Sequence, residues 1–383
     1  MSWLIPYNKL DKDQIGFLEN PKKNNSNIFI KGYAGCGKSV LLVHTLIKEK
    51  EKNPNAKIII VTYTHALIDM IKDGIPGGLT HTPIVTFYKF RNMPSHWDLI
   101  LVDEVQDLPE EDIKAIKLKG DRIIVAGDDN QSIYDEGCNI ASMETILQSE
   151  RSFLSTIHRI SRKIRNIAQF FCGDKVGFNS SAIGKLVEND ARLVYAENYD
   201  EECKWLIKTS KEYADSEYTT AILIPKHIYI LHFFQKLLEI EGKPPLPNGA
   251  DKDKNMINEH LKHNGIKFQY LGNGFGSFEK VEKEHLVTVM TYHSAKGLDY
   301  GAVFIPFLSP TLEIWRDNPH RARTLFFVAL TRSREQLFLS YSKEKHPLLA
   351  EIDDRNFHKI NASDELNKSS FDDFDGDDIG PIF

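Results

Sequence analysis

The chain has 383 residues, 41% of them hydrophobic, enough for two or three domains with real cores. No apolar run approaches the ~20 residues of a membrane span, and the first residues lack the basic-then-apolar pattern of a secretory signal. The formal net charge of −6 argues against wholesale nucleic-acid affinity, but from Glu351 onward ten acidic residues face three basic ones, a net −7, so the rest carries +1 and has room for a local basic groove.

Residues 10–18 (LDKDQIGFL) read as a short helix carrying Gln14, which on spacing alone is an ordinary solvated residue. Residues 27–42 (NIFIKGYAGCGKSVLL) read as a buried strand, a glycine-rich turn and a helix start. Gly32, four further residues and then Gly37-Lys38-Ser39 fit the phosphate-binding loop. Gly32, Gly35 and Gly37 let the backbone curl so that its N–H groups face phosphate oxygens, at the positive end of the following helix. Lys38 can reach the β- and γ-phosphates, and Ser39 can ligate Mg²⁺, so ATP and Mg²⁺ are the expected ligands.

Residues 57–62 (KIIIVT) form a continuous apolar run, as in a parallel strand buried on both faces, followed by Tyr63 and a helix over 66–72. Residues 84–88 (IVTFY) read as another strand, and residues 98–102 (DLILV) as a third that ends in Asp103-Glu104-Val105-Gln106-Asp107. Asp103 can hold Mg²⁺ through water, and Glu104 can act as general base towards an attacking water. Residues 122–126 (RIIVA) lead into Gly127-Asp128-Asp129-Asn130-Gln131, a polar strand tip placed to sense a γ-phosphate. Strands alternating with helices imply a doubly wound parallel sheet with its ligand at the strands' C-terminal ends. The alternation continues with strands over 192–195, 220–224, 267–271 and 286–290, helices over 162–171, 200–213 and 229–241, and a loop over 242–255. Cys36, Cys138, Cys172 and Cys203 show neither metal nor disulfide spacing, which fits a reducing cytoplasm.

The phosphate loop, DEVQD and GDDNQSIY, in this order, resemble the superfamily 1 helicases of the UvrD/Rep/PcrA type. LSTIHRIS (154–161), VTVMTYHSAKGLDYGAVFI (287–305) and FFVALTRSREQLFLSY (326–341) resemble the same family's fourth, fifth and sixth motifs. The resemblance implies an α/β fold of two tandem RecA-like P-loop NTPase domains, over 1–152 and 153–345, with ATP in the cleft between them. By composition the acidic residues 346–383 read as a disordered tail, or as a docking peptide or a strip that competes with DNA for the groove. It also implies that Gln14 contacts adenine, that Gln131 links γ-phosphate to nucleic acid, and that Arg159 and Arg332 reach the γ-phosphate as arginine fingers. His158 stands where the family stacks a tyrosine on adenine, and Gly297 and Asp299 of the fifth motif belong to the nucleotide set. Tyr63, Thr86, Tyr134 and His293 match positions that touch single-stranded DNA, where aromatic stacking is sequence-tolerant.

The activity implied is an ATP-driven 3′–5′ single-strand DNA translocase or helicase. Departures from the family pattern bring in a second reading. Only about a dozen residues separate Thr86 from the DEVQD strand, and residues 272–285 are few, so the two large inserted subdomains of the family have no room. After Tyr134 the run is Asp135-Glu136-Gly137, where the family has an aromatic residue and an arginine that grip DNA. A stripped core of this kind suits a regulatory ATPase subunit that senses DNA or nucleotide and controls a partner nuclease, as in bacterial repair or anti-phage systems. Stacking contacts do not read the 2′-OH, so RNA stays open as the strand.

Overall fold

The computed structural model describes residues 3–20, 25–63, 65–134, 136–185, 188, 190–216, 218–272, 274–315 and 318–368. Five runs rich in Ile, Val and Leu become strands, β1 (Ile28–Gly32), β2 (Ile58–Thr62), β3 (Ile84–Thr86), β4 (Trp97–Val102) and β5 (Gly120–Gly127), and the more polar ERSFL adds β6 (Glu150–Leu154). They pair in the order β3-β2-β4-β5-β1-β6, every pairing parallel. The twofold alternation of side chains along a strand sorts the sheet into two cores. Ile28, Ile30, Ile58, Ile60, Leu99 and Leu101 pack under the helices Lys38–Lys52 and His65–Gly74. Phe29, Ile59, Val61, Ile100 and Val102 pack under Glu110–Lys119 and Ile140–Leu147. Helices on both faces explain why β2 is buried at every position.

A two-stranded ribbon, β7 (Thr156–Ile157) with β8 (Ala182–Ile183), precedes the second sheet. That sheet contains β9 (Asp190–Ala196), β10 (Thr220–Ile224), β11 (Phe268–Tyr270), β12 (Val287–Thr291), β13 (Tyr300–Ile305), β14 (Ser333–Ser342) and β15 (His358–Asn361). Their order is β11-β12-β10-β13-β14-β9-β15, again all parallel. Tyr33 and Ile133 of the first unit join the core that lies beneath the second unit's helices Arg162–Ala168 and Pro319–Leu330, so one apolar seam runs between the units. The expected α/β architecture of two parallel-sheet units is therefore what the chain adopts. Among the described residues no helix is long and apolar enough to cross a membrane.

Three boundaries differ from expectation. The strand read over 84–88 ends at Thr86, whose hydroxyl accepts the Lys89 N–H and starts the helix Phe87–Arg91. Phe87 and Phe90, one helical turn apart, are both buried, so a cap and a helical stripe override the strand preference of the aromatic run. The first sheet runs past residue 152, because β6 pairs with β1 as far as Leu154. The acidic end is partly built into the fold: β15 pairs with β9, and Ala362, at the start of the helix Ala362–Asn367, is fully buried. Residues 369–383 lie outside the described residues.

Glu202 lies enclosed in the helix Tyr199–Asp215, where its Oε1 accepts the Phe307 N–H at 2.7 Å and the Ser340 hydroxyl at 2.6 Å. Burial pushes its carboxyl up from the ordinary 4.5 to about 7. Across that window the folded chain holds a proton that the unfolded chain has released, so stability falls as pH rises, by about 3 kcal/mol in all. Glu202→Gln is expected to flatten this dependence. Thermal unfolding at pH 5 and pH 8 checks it: the wild-type midpoint should drop more than that of the variant, and equal drops would clear Glu202 of the effect.

Candidate active site

The glycine-rich loop sits at the C-terminal end of β1. Gly35 and Gly37 take φ of +79° and +84°, the left-handed region where a side chain is strained. A Cβ on Gly37 would lie 2.4 Å from Gln14 Nε2, and one on Gly35 2.4 Å from Arg159 Cβ, so the loop is closely walled on both sides. Lys38 folds back onto the loop, donating to the Gly32 carbonyl at 2.8 Å and the Tyr33 carbonyl at 3.2 Å. Gln14 donates to the Cys36 carbonyl and completes a capping box with Asp11 at the start of its helix. Gln14 is buried rather than solvated, so the wall by the loop is built from residues far apart in sequence.

Parallel registration places the ends of β1, β5 and β4 side by side. Ser39 Oγ donates to Asp103 Oδ2 at 2.5 Å. Two adjoining oxygen ligands beside a glycine cradle suit Mg²⁺, a hard cation held partly by substrate phosphates. Glu104 takes φ +55°, ψ +41°, a left-handed conformation that is rare for a non-glycine residue and that turns the chain sharply at the strand's end. Burial, with the Glu104 carboxylate beside it, pushes Asp103 up to about 6. Burial also pushes on Glu104, but the positive charges of Lys296 and Lys38 outweigh it and hold Glu104 below the usual range. The two neighbouring carboxyls are thus driven apart.

A hydrogen-bonded relay starts at Glu104. Gln106 donates to Glu104 Oε2 at 2.6 Å and accepts the Asp128 N–H at 3.1 Å. Asp128 Oδ2 accepts from Gln131 Nε2 at 2.8 Å, and Gln131 Oε1 accepts from Arg332 Nη2 at 2.9 Å. The relay therefore ends on the second unit. Arg332 is 1% exposed; burial, and then Arg159 nearby, lower it to about 9, so it stays charged at neutral pH.

β12 and β13 both run parallel to β10. Residues 292–299 must therefore return from the C-terminal end of one to the N-terminal end of the other. This crossing brings His293, Lys296 and Asp299 to the first unit in one short run. Lys296, 3% exposed, meets Asp107 Oδ2 and the Gln131 carbonyl, both at 2.5 Å, and Glu104 Oε2 at 3.8 Å. Asp299 pairs with Arg159 at 2.9 Å and Arg334 at 3.4 Å. Gly297, at φ +82°, is where a Cβ would strike Leu67, so its neighbour here is a helix of the first unit rather than the phosphate loop. His158 pairs with Asp11 at 2.6 Å, and its N–H donates to the Gly35 carbonyl.

The strand-contact set divides. Tyr63 and Tyr134 rings lie 4.6 Å apart, and His293 lies 6.2 Å from Tyr134. Burial, then Lys296 and His227, lower His293 to about 4, so its ring is neutral at physiological pH. Thr86 is buried, with its hydroxyl spent on the helix cap. Asp135 lies outside the described residues, while Arg321 donates to the carbonyls of Ser132 and, at 2.7 Å, Tyr134. Sequence reading missed Gln106, Asp107, Asp128, Lys296 and Arg321. The first three stand inside the polar runs that ended β4 and β5, so the signal was present; Lys296 and Arg321 gain their meaning only from the other unit.

Residues 266–344 match the UvrD-like helicase C-terminal domain, and residues 19–136 match an AAA domain. DNA helicase IV of Escherichia coli (strain K12) is 24% identical over 289 residues, 72% of this chain and 38% of that protein. The ATP-dependent DNA helicase Rep of Buchnera aphidicola subsp. Acyrthosiphon pisum (strain APS) is 38% identical over 65 residues, 16% of this chain and 10% of that protein. The chain thus spans well under half the length of these relatives. The solved structure of PRRSV helicase superposes with a TM-score of 0.45 at 15% identity, covering 84% of this chain and 53% of that one. The chain is similar to the UvrD-like helicases of superfamily 1.

Lys296→Ala would leave the Asp107 carboxylate buried without its cation, which costs about 3–5 kcal/mol. Lys296→Met combined with Asp107→Leu removes both charges and should recover most of that loss. Urea unfolding of the three proteins decides it; a single variant within about 1 kcal/mol of wild type would show that the pair does not hold the units together.

Proposed function

We propose that the chain is an ATP hydrolase that couples turnover to movement along single-stranded DNA, a UvrD-like helicase or translocase working 3′ to 5′ in the cytoplasm. The observation that supports this most is the unbroken relay from Glu104 through Gln106, Asp128 and Gln131 to Arg332, because it ties a candidate base in one unit to a cation in the other.

On this reading the glycine loop cradles the phosphates, and Lys38 exchanges its loop carbonyls for the β- and γ-phosphate oxygens. Ser39 and Asp103 would hold Mg²⁺, which neutralises phosphate charge when bound. Gln106 occupies Glu104 Oε2, which leaves Oε1 to take the proton of the attacking water. Arg332 and Arg159 bring positive charge from the second unit to the γ-phosphate, so hydrolysis requires the closed cleft. Gln14 orients the base, with His158 on the side of the loop where Asp11 anchors it. Tyr63, Tyr134 and His293 present rings to the bases of the strand.

The regulatory reading keeps one specific support. Among the described residues, the connections where the family carries inserted subdomains contain only the short helices Phe87–Arg91 and Phe278–Glu284. A chain without those wedges suits control of a partner nuclease better than efficient unwinding.

ATP hydrolysis with and without single-stranded DNA tests the main reading. Strong stimulation by DNA is expected. Glu104→Gln should bind ATP yet lose roughly 10²–10⁴ in turnover, and Lys38→Ala should lose both. Retained turnover in Glu104→Gln would remove the base from its role.

A further inference from the structure

Of the residues between Gly32 and Gly37 in the phosphate loop, only Tyr33 has a large side chain. That side chain leaves its own unit. It is 2% exposed and lies in the core beneath the second unit's helices. Its ring meets Phe178 at 5.5 Å, and Phe178 meets Phe327 at the same spacing, each pair edge to face. Phe327 belongs to the helix Pro319–Leu330, which leads into Arg332. A file of three rings therefore joins the phosphate loop to the element that delivers a cation to the cleft.

The phenol end is held as well. The Tyr33 hydroxyl donates to Asp174 Oδ2 at 2.6 Å. Asp174 caps the helix Lys175–Ser180 and lies outside every helicase motif of the sequence. Its Oδ1 accepts the Gly177 N–H at 2.9 Å, and its own N–H donates at 2.8 Å to Oδ1 of Asn130, the neighbour of Gln131. A Cβ on Gly177 would strike both the Tyr33 hydroxyl and the Asp174 carboxylate, so this helix start is shaped to admit the phenol. The bond from Tyr33 holds the Asp174 carboxyl below its usual range, which keeps it an acceptor at neutral pH. Meanwhile the Tyr33 carbonyl accepts from Lys38 at 3.2 Å. The residue whose side chain the second unit seats is thus also the one on whose backbone Lys38 rests.

We propose that Tyr33 and Asp174 are a positioning pair through which the second unit seats the phosphate loop in its ATP-binding shape. The inference deepens the ATP-hydrolase reading above and rests on it. A contact between the units affects nucleotide binding only as far as the nucleotide prefers the state in which that contact is made. On the reading above that state is the closed cleft, because Arg332 and Arg159 reach the γ-phosphate from the second unit. Losing the phenol–carboxylate bond lowers the fraction of closed molecules, and the apparent affinity for ATP falls by the same factor. Saturating ATP restores the closed population, so the loss appears in KM far more than in kcat.

Steady-state ATP hydrolysis by the full chain, with thermal midpoints measured alongside, tests it. Tyr33→Phe keeps the ring in its seat and removes only the hydroxyl. Asp174→Asn keeps the oxygen that caps Gly177 and replaces the one that takes the phenol. Each should raise KM for ATP by ~2–12-fold, the range for one hydrogen bond whose acceptor also faces water. The double variant should be no worse than either single one, and Tyr33→Ala, which empties the aromatic seat, should raise KM further. If Tyr33→Phe and Asp174→Asn leave KM at the wild-type value while Glu104→Gln loses turnover, the inference falls and the ATP-hydrolase reading stands. If the two changes multiply in the double variant, or lower kcat and the thermal midpoint without moving KM, the residues are separate structural props and the inference falls. If the wild type hydrolyses no ATP, the reading beneath it falls and takes this inference with it.

Discussion

Two cations of the second unit are taken out of water inside the polar loops of the first. Lys296 and Arg332 are 3% and 1% exposed, and removing an ion from water costs several kcal/mol after relaxation. The closed arrangement therefore exists only while every partner is in place: Asp107 and the Gln131 carbonyl for Lys296, and Gln131 Oε1 with the Val328 and Leu298 carbonyls for Arg332. Gln131 serves both cations, one through its side chain and one through its carbonyl. That shared residue makes the cleft an all-or-none assembly more than a sum of contacts. Anything that changes the charge at the phosphate loop changes the balance that keeps these ions buried, and this is the physical route by which a bound polyphosphate could open or close the cleft.

Sheet topology supplies the rest. Parallel strands bring their polar ends to one edge, so the loops after β1, β4 and β5 meet without any long excursion. In the second unit the same rule works differently. The return from β12 to β13 is forced to travel the length of a strand, and so one run of eight residues touches the aromatic row at His293, the carboxylates at Lys296 and the arginine pair at Asp299. The Lys296 N–H donates to the His293 carbonyl at 3.2 Å. A displacement at the ring is thus felt at the ion pair within one turn of backbone.

The parts of this arrangement that were legible in the sequence are the ones whose chemistry is local. The glycine spacing around Lys38, the apolar run into Asp103-Glu104 and the run into Asp128 each announce a strand tip within a few residues. Most strands of both sheets follow from the same apolar runs; β6 (ERSFL) and β15 do not. What was not legible depends on which segments meet. Asp107 becomes a buried partner only because Lys296, 189 positions away, arrives from the other unit. The run over 84–88 reads as strand, yet Thr86 caps a helix there, since a hydroxyl at the right turn outweighs a weak β preference. β15 sits in an acidic stretch that composition marks as tail; its few apolar residues suffice because β9 already offers an edge to pair with.

His158 shows how a departure from the family pattern can be absorbed. The resemblance puts an adenine-stacking ring at this position. The imidazole instead reaches Asp11, the residue that caps the helix carrying Gln14. Immediately before β7, Ser155 does the same with Asp13 of that helix, through its N–H at 2.9 Å and its hydroxyl at 2.5 Å. The chain crossing between the units is therefore fastened at two points to the helix that positions Gln14. Gln14 in turn donates to the loop carbonyl of Cys36 beside Lys38. Ser155 and His158 are thus linked through Asp13 and Asp11 to the side chain at the wall of the phosphate loop. The His158–Asp11 pair makes the position of that wall depend on how the two units sit.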